Sequence, residues 1–340
     1  MRLRLCWSFA GIVVGCGGAV EGSAGDGGAT DGPPFDGSFD RESSAGDVGE
    51  KDAASEGPAP DAEIQGVWST VTVTVDAGFT NFDAVWASGT NDLRIGSPDG
   101  LLRFNGLAWS FDPTTACLSL WGGAPGDFWI GQPLQVVRRS GSASTVVPLG
   151  DNRQINSLWG FAPDDVWGSD TNAGYLCHWF GTQRMRYSNE FAGSLWGVHN
   201  DELWAATAGG GINKFDGSSW SVVIPGTSAG TGFTAIAGVA RDDIWAVGRG
   251  VAQRYDGSAW QAVVPLSARL RGVFGVNRRS FWAVGEAGKI LRFDGVTWVE
   301  TTSPVTTNLN AIFGLPDGHM WAVGDGNTVL EFTPSAGSAD

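Results

Sequence analysis

The chain has 340 residues, of which 42% are hydrophobic and 52 are glycines. Its length and hydrophobic content are enough for one large core or two ordinary ones. Charged residues make up only 17%, and the formal net charge is −15. This acidic balance argues against binding to a phosphate backbone, which needs clustered Lys and Arg, and we expect no nucleic-acid partner. Few charges and abundant glycine favour an all-β protein with many tight turns.

Residues 1–15 are predicted to be a signal peptide. A basic start at residues 1–4 precedes an apolar run of about ten residues, whereas a membrane-spanning helix needs ~20. The run ends in Val13-Val14-Gly15-Cys16, which resembles a bacterial lipobox. That resemblance implies cleavage before Cys16 and acylation of its thiol, and thus a lipid anchor in the cell envelope. The alternative is an ordinary signal peptide whose apolar run contains a Cys.

The residue that follows Cys16 is Gly17 rather than Asp. By resemblance to enterobacterial sorting, this implies the outer membrane. We therefore expect an exported protein that is attached to the outer membrane through its N-terminal lipid.

Residues 16–65 are predicted to be a disordered linker that begins with the lipidated Cys. From residue 17 onward the segment is rich in Gly, Ala, Asp, Ser and Pro, and it carries twelve acidic side chains against two basic ones. It has too few apolar side chains to offset the entropy of ordering. A flexible chain of this length reaches about 40 Å, which suits a spacer behind a membrane anchor. An inert leader without a selected length is the alternative.

A Trp-rich phrase then recurs about every forty residues. Its copies align in two columns that are always eight residues apart. The first column holds Trp86, Trp121, Trp159, Trp196, Ala237, Phe274 and Phe313, and the second holds Arg94, Trp129, Trp167, Trp204, Trp245, Trp282 and Trp321. Seven copies at this period predict seven repeat units.

Each unit is predicted to contain four strands. Turn-forming residues separate the two columns, an alternating strand follows the second column, and an Asp-Gly turn then leads to a strand that opens with Trp. Trp109, Trp220, Trp260 and Trp298 mark that last strand. The fold class is therefore an all-β, seven-bladed β-propeller at residues 66–335, with a tail at 336–340.

The last unit lacks its fourth strand, because no Asp-Gly turn and Trp follow Phe332. A β-rich segment that opens with Trp68 precedes the first unit, at residues 67–75. We predict that this segment is the outer strand of the seventh blade and closes the ring.

The repeated phrase resembles the propellers of secreted bacterial lipoproteins, common in myxobacteria, over about residues 66–335. One of its two clearest copies runs Asp243-Ile244-Trp245-Ala246-Val247-Gly248. It also resembles, more distantly, sialidase-type (BNR) and photosystem-assembly propellers. The sialidase-type Asp-box is matched only in part, since Asp294 and Gly295 are adjacent. The resemblance implies the fold and says little about activity.

The Trp columns are interpreted as core between blades, and aromatic platforms for sugars are the alternative. Departures from the columns occur at Arg94, at Ala237 and at Cys177-His178-Trp179-Phe180. We interpret them as drift within a repeat protein, although they could mark a pocket.

Two cysteines, Cys117 and Cys177, remain in the mature domain. They are predicted to lie too far apart for a disulfide and to be buried thiols, and a disulfide is the alternative. The repeated Asp-Gly pairs are interpreted as hairpin turns rather than calcium ligands. The three histidines fall in different units, so no metal-ligand spacing emerges and we expect no metal. The sequence indicates no convergent set of polar groups for catalysis and contains no phosphate-binding loop, so we also expect no cofactor and no catalytic residues.

Any ligand surface is expected on the face that bears the turns between second and third strands and the crossings between blades. The candidate residues on that face are Asp99, Asp151, Arg153, Asp170, Asn172, Arg269, Glu286 and Asp325. The preferred function is a monomeric, non-enzymatic module that binds an envelope protein or glycan. The alternative is a secreted hydrolase or lyase acting on polysaccharide.

Overall fold

The computed structural model describes residues 63–75, 78–149, 153–170, 174–181, 183–188, 192–207, 209–226, 232–263 and 268–335. These residues form 28 strands in seven four-stranded antiparallel sheets, which confirms the seven-bladed propeller. The innermost strand of each sheet contacts the innermost strands of its two neighbours, so the sheets form a closed ring. Within these ranges, no helix is long and apolar enough to cross a membrane.

The strands are given blade by blade, from the innermost to the outermost. Blade one has β2 (Ala84–Gly89), β3 (Asp92–Ser97), β4 (Gly100–Phe104) and β5 (Trp109–Asp112). Blade two has β6 (Ser119–Ala124), β7 (Asp127–Gly131), β8 (Gln135–Ser140) and β9 (Ala143–Pro148). Blade three has β10 (Ser157–Ala162), β11 (Asp165–Asp170), β12 (Tyr175–Phe180) and β13 (Gln183–Ser188). Blade four has β14 (Ala192–His199), β15 (Glu202–Thr207), β16 (Ile212–Phe215) and β17 (Trp220–Ile224).

The remaining blades follow the same order. Blade five has β18 (Gly232–Ala240), β19 (Asp243–Arg249), β20 (Ala252–Tyr255) and β21 (Trp260–Val263). Blade six has β22 (Leu270–Asn277), β23 (Ser280–Gly285), β24 (Ile290–Phe293) and β25 (Trp298–Glu300), with a 3-10 turn at Glu286–Gly288. Blade seven has β26 (Leu309–Gly314), β27 (Met320–Gly324), β28 (Thr328–Pro334) and, as its outermost strand, β1 (Gly66–Thr70).

The eight-residue offset between the columns reflects the register of the hairpin that the first and second strands of each blade form. In every blade the residue of the first column lies directly opposite that of the second, as Trp159 does opposite Trp167. Except for Arg94, the second-column residues are buried indoles, which confirms that this column is core.

Outer-strand Trp residues join neighbouring blades. Four of them meet the second-column Trp of the preceding blade edge to face, with interplanar angles of 75° to 86°. The pairs are Trp220–Trp167, Trp260–Trp204, Trp298–Trp245 and Trp68–Trp282. Aromatic pairs favour this geometry because the positive edge of one ring meets the negative face of the other. Trp68 thus occupies in blade seven the position that Trp298 occupies in blade six.

Ring closure by the N-terminal strand is confirmed, and the strand is shorter than predicted. β1 pairs with β28 from Gly66 opposite Pro334 to Thr70 opposite Leu330. One further bond, from the Val71 N–H to the Val329 carbonyl at 2.9 Å, ends the ladder. The prediction that the strand would reach residue 75 was wrong because β28 begins at Thr328, which lies opposite residue 72 in this register, and offers no partner to residues 73–75.

A glycine follows the first column in six blades and makes room for the neighbouring aromatic ring. A Cβ on Gly122 would lie 2.3 Å from the ring of Trp86, and one on Gly160 would lie 2.7 Å from that of Trp121. The same contact joins Gly238 to Trp196, at 2.6 Å. Inner strands approach this closely only because these positions lack a side chain.

The Asp-Gly pairs form hairpin turns between third and fourth strands. The Asp256 carboxylate accepts hydrogen bonds from the N–H groups of Ser258 and Ala259, both at 2.9 Å, and Gly257 has φ of 92°. Asp216 makes the same bonds, which lower its pKa to about 2. These contacts support the hairpin interpretation.

Candidate functional site

The strand order gives the propeller two different faces. One bears the turns between second and third strands and the crossings between blades, and we call it the rim face. The opposite face bears the turns between first and second and between third and fourth strands. We call it the entry face, because the described chain begins there at Glu63, just before β1.

β-Bulges turn polar side chains toward the rim-face end of three neighbouring inner strands. Near this end of β18, β22 and β26 the register skips one residue, and the extra residues are Thr234, Arg271 and Asn310. A bulge re-aims a side chain that regular pairing would direct elsewhere. The Thr234 hydroxyl donates to the Leu270 carbonyl of the next blade at 2.7 Å, so the bulges also tie adjacent blades together.

Arg271 and Asn310 are the centre of a polar group that spans blades six, seven and one. We call it the mouth cluster, and its members are Asp83, Arg271, Glu286, Asn308, Asn310 and Asp325. Arg271 donates to Glu286 Oε1 at 3.2 Å and to Asn310 Oδ1 at 2.6 Å. Asn310 Nδ2 donates to Asp325 at 2.9 Å and to Asp83 at 3.3 Å, and Asn308 Nδ2 donates to Asp325 at 2.7 Å. The amide of Asn310 therefore links one guanidinium to two carboxylates.

Asp83 has an unusual environment within the mouth cluster. Burial, with smaller contributions from the neighbouring Asp325 and Asp99 carboxylates, raises its pKa from 3.8 to about 6, although Arg271 acts in the opposite direction. Perturbed carboxyls of this kind occur often at functional sites. The mouth cluster thus contains a group that changes charge near neutral pH.

Several candidate residues from the sequence lie in or beside the mouth cluster. Glu286 and Asp325 belong to it, and Arg269 extends it, with its Nε 4.0 Å from Glu286 Oε2. Asp99 is exposed in the turn of blade one, where it accepts hydrogen bonds from the N–H and hydroxyl of Thr80.

Other candidates lie in blades two and three, away from this group. Arg153 is buried, and its guanidinium lies 4.4 Å from the ring centre of Tyr175. Asp170 is fully buried at the end of β11, and its carbonyl accepts the Gly174 N–H. Asp151, Asn172 and Cys16 lie outside the described residues.

The departures from the repeat pattern are packed within the fold. Arg94 is buried, bonds to Asp92 at 2.8 Å and lies over the ring of Phe128 at 4.2 Å. His178 stacks on Trp167 at 4.0 Å, and its Nε2 lies 2.7 Å from Asp165. These contacts fit the interpretation of drift, because the substituted side chains fill the space themselves.

Both cysteines of the domain are unpaired and buried, as predicted. Burial raises the pKa of each thiol, so neither is poised as a nucleophile. Among the described residues, no group of three His, Cys, Asp or Glu side chains is arranged to hold a metal ion.

Sequence reasoning did not find four members of the mouth cluster: Asp83, Arg271, Asn308 and Asn310. Three of them share a signal, because Asp83, Arg271 and Asn310 each precede the first column of their blade by three residues. Polar residues at this one position of neighbouring blades would have indicated a common location.

No family model matches the chain, and no curated protein matches it. Among solved structures, YCF48 bound to a D1 peptide is 14% identical, with a TM-score of 0.66, over 82% of this chain and 100% of that one. Catalytically inactive virginiamycin B lyase from Staphylococcus aureus, solved with quinupristin, is 12% identical, with a TM-score of 0.68, over 79% and 99%. The extracellular domain of a hybrid two-component system from B. thetaiotaomicron is 13% identical, with a TM-score of 0.66, over 79% and 41%. At these identities the likeness shows the propeller fold alone.

Proposed function

We propose that the protein is an exported lipoprotein of the cell envelope, anchored to the outer membrane through Cys16. Its propeller acts as a non-enzymatic module that binds an envelope glycan or protein on the rim face. The observation that carries this proposal is the mouth cluster, a preformed set of hydrogen-bonding groups at one end of the ring.

The position of the N-terminal strand supports presentation of that face. β1 runs from the entry face at Gly66 toward the rim face at Thr70, and Ser335 lies back at the entry face, where its N–H bonds to Gln65. A linker attached before residue 63 therefore joins the propeller at the end opposite the mouth cluster. A membrane anchor at the far end of that linker leaves the rim face free for a ligand.

The chemistry of the mouth cluster favours a hydroxyl-rich ligand. It combines the guanidinium donors of Arg271 with amide groups and three carboxylates, all of them half-buried. Sugar hydroxyls both donate and accept hydrogen bonds, so a glycan can satisfy such a mixture. A polyanion is disfavoured, because carboxylates outnumber guanidinium groups in the cluster.

A second candidate, a hydrolase or lyase acting on polysaccharide, is favoured by one observation. Asp83, with a pKa near 6, shares Asn310 with a second carboxyl, Asp325. General acid–base catalysis uses carboxyls whose pKa is raised toward the working pH. Propeller scaffolds host both binding and catalysis, so the fold does not decide between the two candidates.

A glycan array combined with an assay for released reducing ends separates the candidates. The full chain carrying Cys16→Ala is compared with the same chain carrying Asp83→Asn or Arg271→Ala. The proposal predicts retention of defined glycans by the parent, weaker retention by Arg271→Ala, and no reducing ends from either. Release of reducing ends by the parent and not by Asp83→Asn would establish the enzyme instead.

Anchoring has its own test. Cells expressing the wild-type chain should incorporate radioactive palmitate into the protein, and cells expressing Cys16→Ala should not. Labelling that survives the substitution would overturn the lipid anchor while leaving the binding proposal intact.

A further inference from the structure

Blades two to five share an arrangement in which a cationic or imidazole side chain lies on the second-column Trp and contacts an acid from the same blade. The side chain stands opposite that Trp on the third strand, and the acid precedes the Trp by two residues. The acid–base pairs are Asp127–Arg138, Asp165–His178, Glu202–Lys214 and Asp243–Arg254, at 2.7 to 3.1 Å.

Blade six keeps the cation and lacks the acid. Arg292 lies 5.9 Å from the ring centre of Trp282, and only 16% of its side chain is exposed. The residue two before Trp282 is Ser280, which is fully buried. A guanidinium this buried needs an anionic partner, because desolvation of a charge without one is costly.

That partner comes from the segment before β1. Glu63 forms an ion pair with Arg292, and the N–H of Ile64 donates to the Ser280 hydroxyl at 3.0 Å. Glu63 therefore supplies the carboxylate that blade six does not encode at position 280.

The rest of the segment is also bound to the propeller. Ile64 is buried in the cluster that contains Trp68, Trp282 and Phe332, and the Gln65 carbonyl accepts the N–H of Ser335 at 2.8 Å. The same three residues thus contact both blade six and blade seven.

We propose that Glu63–Ile64–Gln65 is a strap that locks the ring closed by completing blade six from outside it. β1 alone is attached to the ring by one ladder of hydrogen bonds to β28 and by the packing of Trp68. The strap adds a second attachment on a different blade, so opening of β1 requires release from Arg292 as well. Under the anchoring proposed above, a pull on the linker reaches blade six before it reaches β1.

A double-mutant cycle in the full chain carrying Cys16→Ala tests the strap, with no membrane present. Glu63→Ala, Arg292→Ala and the pair are compared by hydrogen exchange of the β1 amides. We expect Glu63→Ala and Arg292→Ala each to raise the exchange rate of those amides at least tenfold. In the double variant the rate should be little higher than in either single variant, because both substitutions remove the same ion pair. The control is the exposed pair Lys289–Glu300 in the same blade, for which we expect changes of less than threefold.

A second variant keeps the test decisive if Arg292→Ala does not fold. Ser280→Asp places an acid where blades two to five have one, so Arg292 gains a partner within its own blade while β1 stays untethered. In Glu63→Gln with Ser280→Asp, the β1 amides should therefore exchange about as fast as in Glu63→Gln, and recovery of their protection would show that Arg292 needs only a neutralising charge, which would overturn the strap. Unchanged exchange of β1 in Glu63→Ala and Glu63→Gln, or additive effects in the cycle, would overturn the strap. None of these outcomes depends on glycan binding or lipid attachment.

Discussion

Truncation of Trp68 to Ala tests closure of the ring by the N-terminal strand. The Trp68 indole is buried and lies 5.8 Å from Trp282 and 5.3 Å from Phe332, ring centre to ring centre. Removal of a buried Trp side chain costs about 3–5 kcal/mol, including the lost aromatic pairs and the cavity. That loss is a large fraction of a typical free energy of unfolding, about 5–15 kcal/mol.

The assay is denaturation of the full chain carrying Cys16→Ala by urea and, in parallel, by heat, followed by tryptophan fluorescence and circular dichroism. For a domain of this size, a loss of about 4 kcal/mol lowers Tm by about 8–16 °C. The control is Val67→Ala in the same strand, whose side chain is exposed, and we expect a change within about 0.5 kcal/mol. If Trp68→Ala unfolds at the same urea concentration as its parent, β1 does not close the ring and the reasoning is refuted.

Three further predictions concern the mouth cluster, the inner ring and the blade-six pair. The folded-state pKa of Asp83, about 6, lies above its ordinary value of 3.8, so the folded chain binds more protons than the unfolded chain between about pH 4 and 6. The free energy of unfolding should therefore fall as pH rises through this window. Asp83→Asn should be more stable than wild type at pH 8 by on the order of 2 kcal/mol, with no gain at pH 4. A difference in urea midpoint between the two proteins that stays the same at every pH would contradict this prediction. Gly238→Ala should destabilise the protein by about 1–3 kcal/mol in thermal unfolding, because its Cβ would lie 2.6 Å from Trp196. The control Gly89→Ala should be neutral, since a Cβ at that position has nothing within 4 Å. Equal effects of the two substitutions would refute the close-approach argument. In the same assay, Glu300→Ala should leave Tm within about 2 °C, since its ion pair with Lys289 is exposed, and a larger loss would show that surface pairs hold blade six.

The architecture was predictable because the repeat encodes it several times. A constant offset of eight residues requires the same hairpin register in every blade, and Trp159 opposite Trp167 is one of seven instances. The missing fourth strand of blade seven and the surplus Trp68 could be matched for the same reason. The strand length was overestimated because the β-rich composition of residues 67–75 does not reveal where the partner strand ends.

The mouth cluster could be predicted only in part. Loop position was sufficient to select Glu286 and Asp325, which do lie together. Arg271 and Asn310 point toward the rim because each is the extra residue of a β-bulge, and a bulge adds a residue that a periodic pattern does not mark. The Glu63–Arg292 pair was also out of reach, since 229 positions separate the two residues along the chain.

Isothermal titration with the best glycan from the array is the most direct test of the central claim, that the rim-face mouth cluster binds the ligand. Asn310→Ala removes the amide that joins Arg271 to Asp83 and Asp325, and the account predicts at least tenfold weaker binding. Asp317→Ala, an exposed substitution on the entry face, should bind like its parent. Full affinity in Asn310→Ala, with loss in Asp317→Ala, would place the site on the other face and contradict the account.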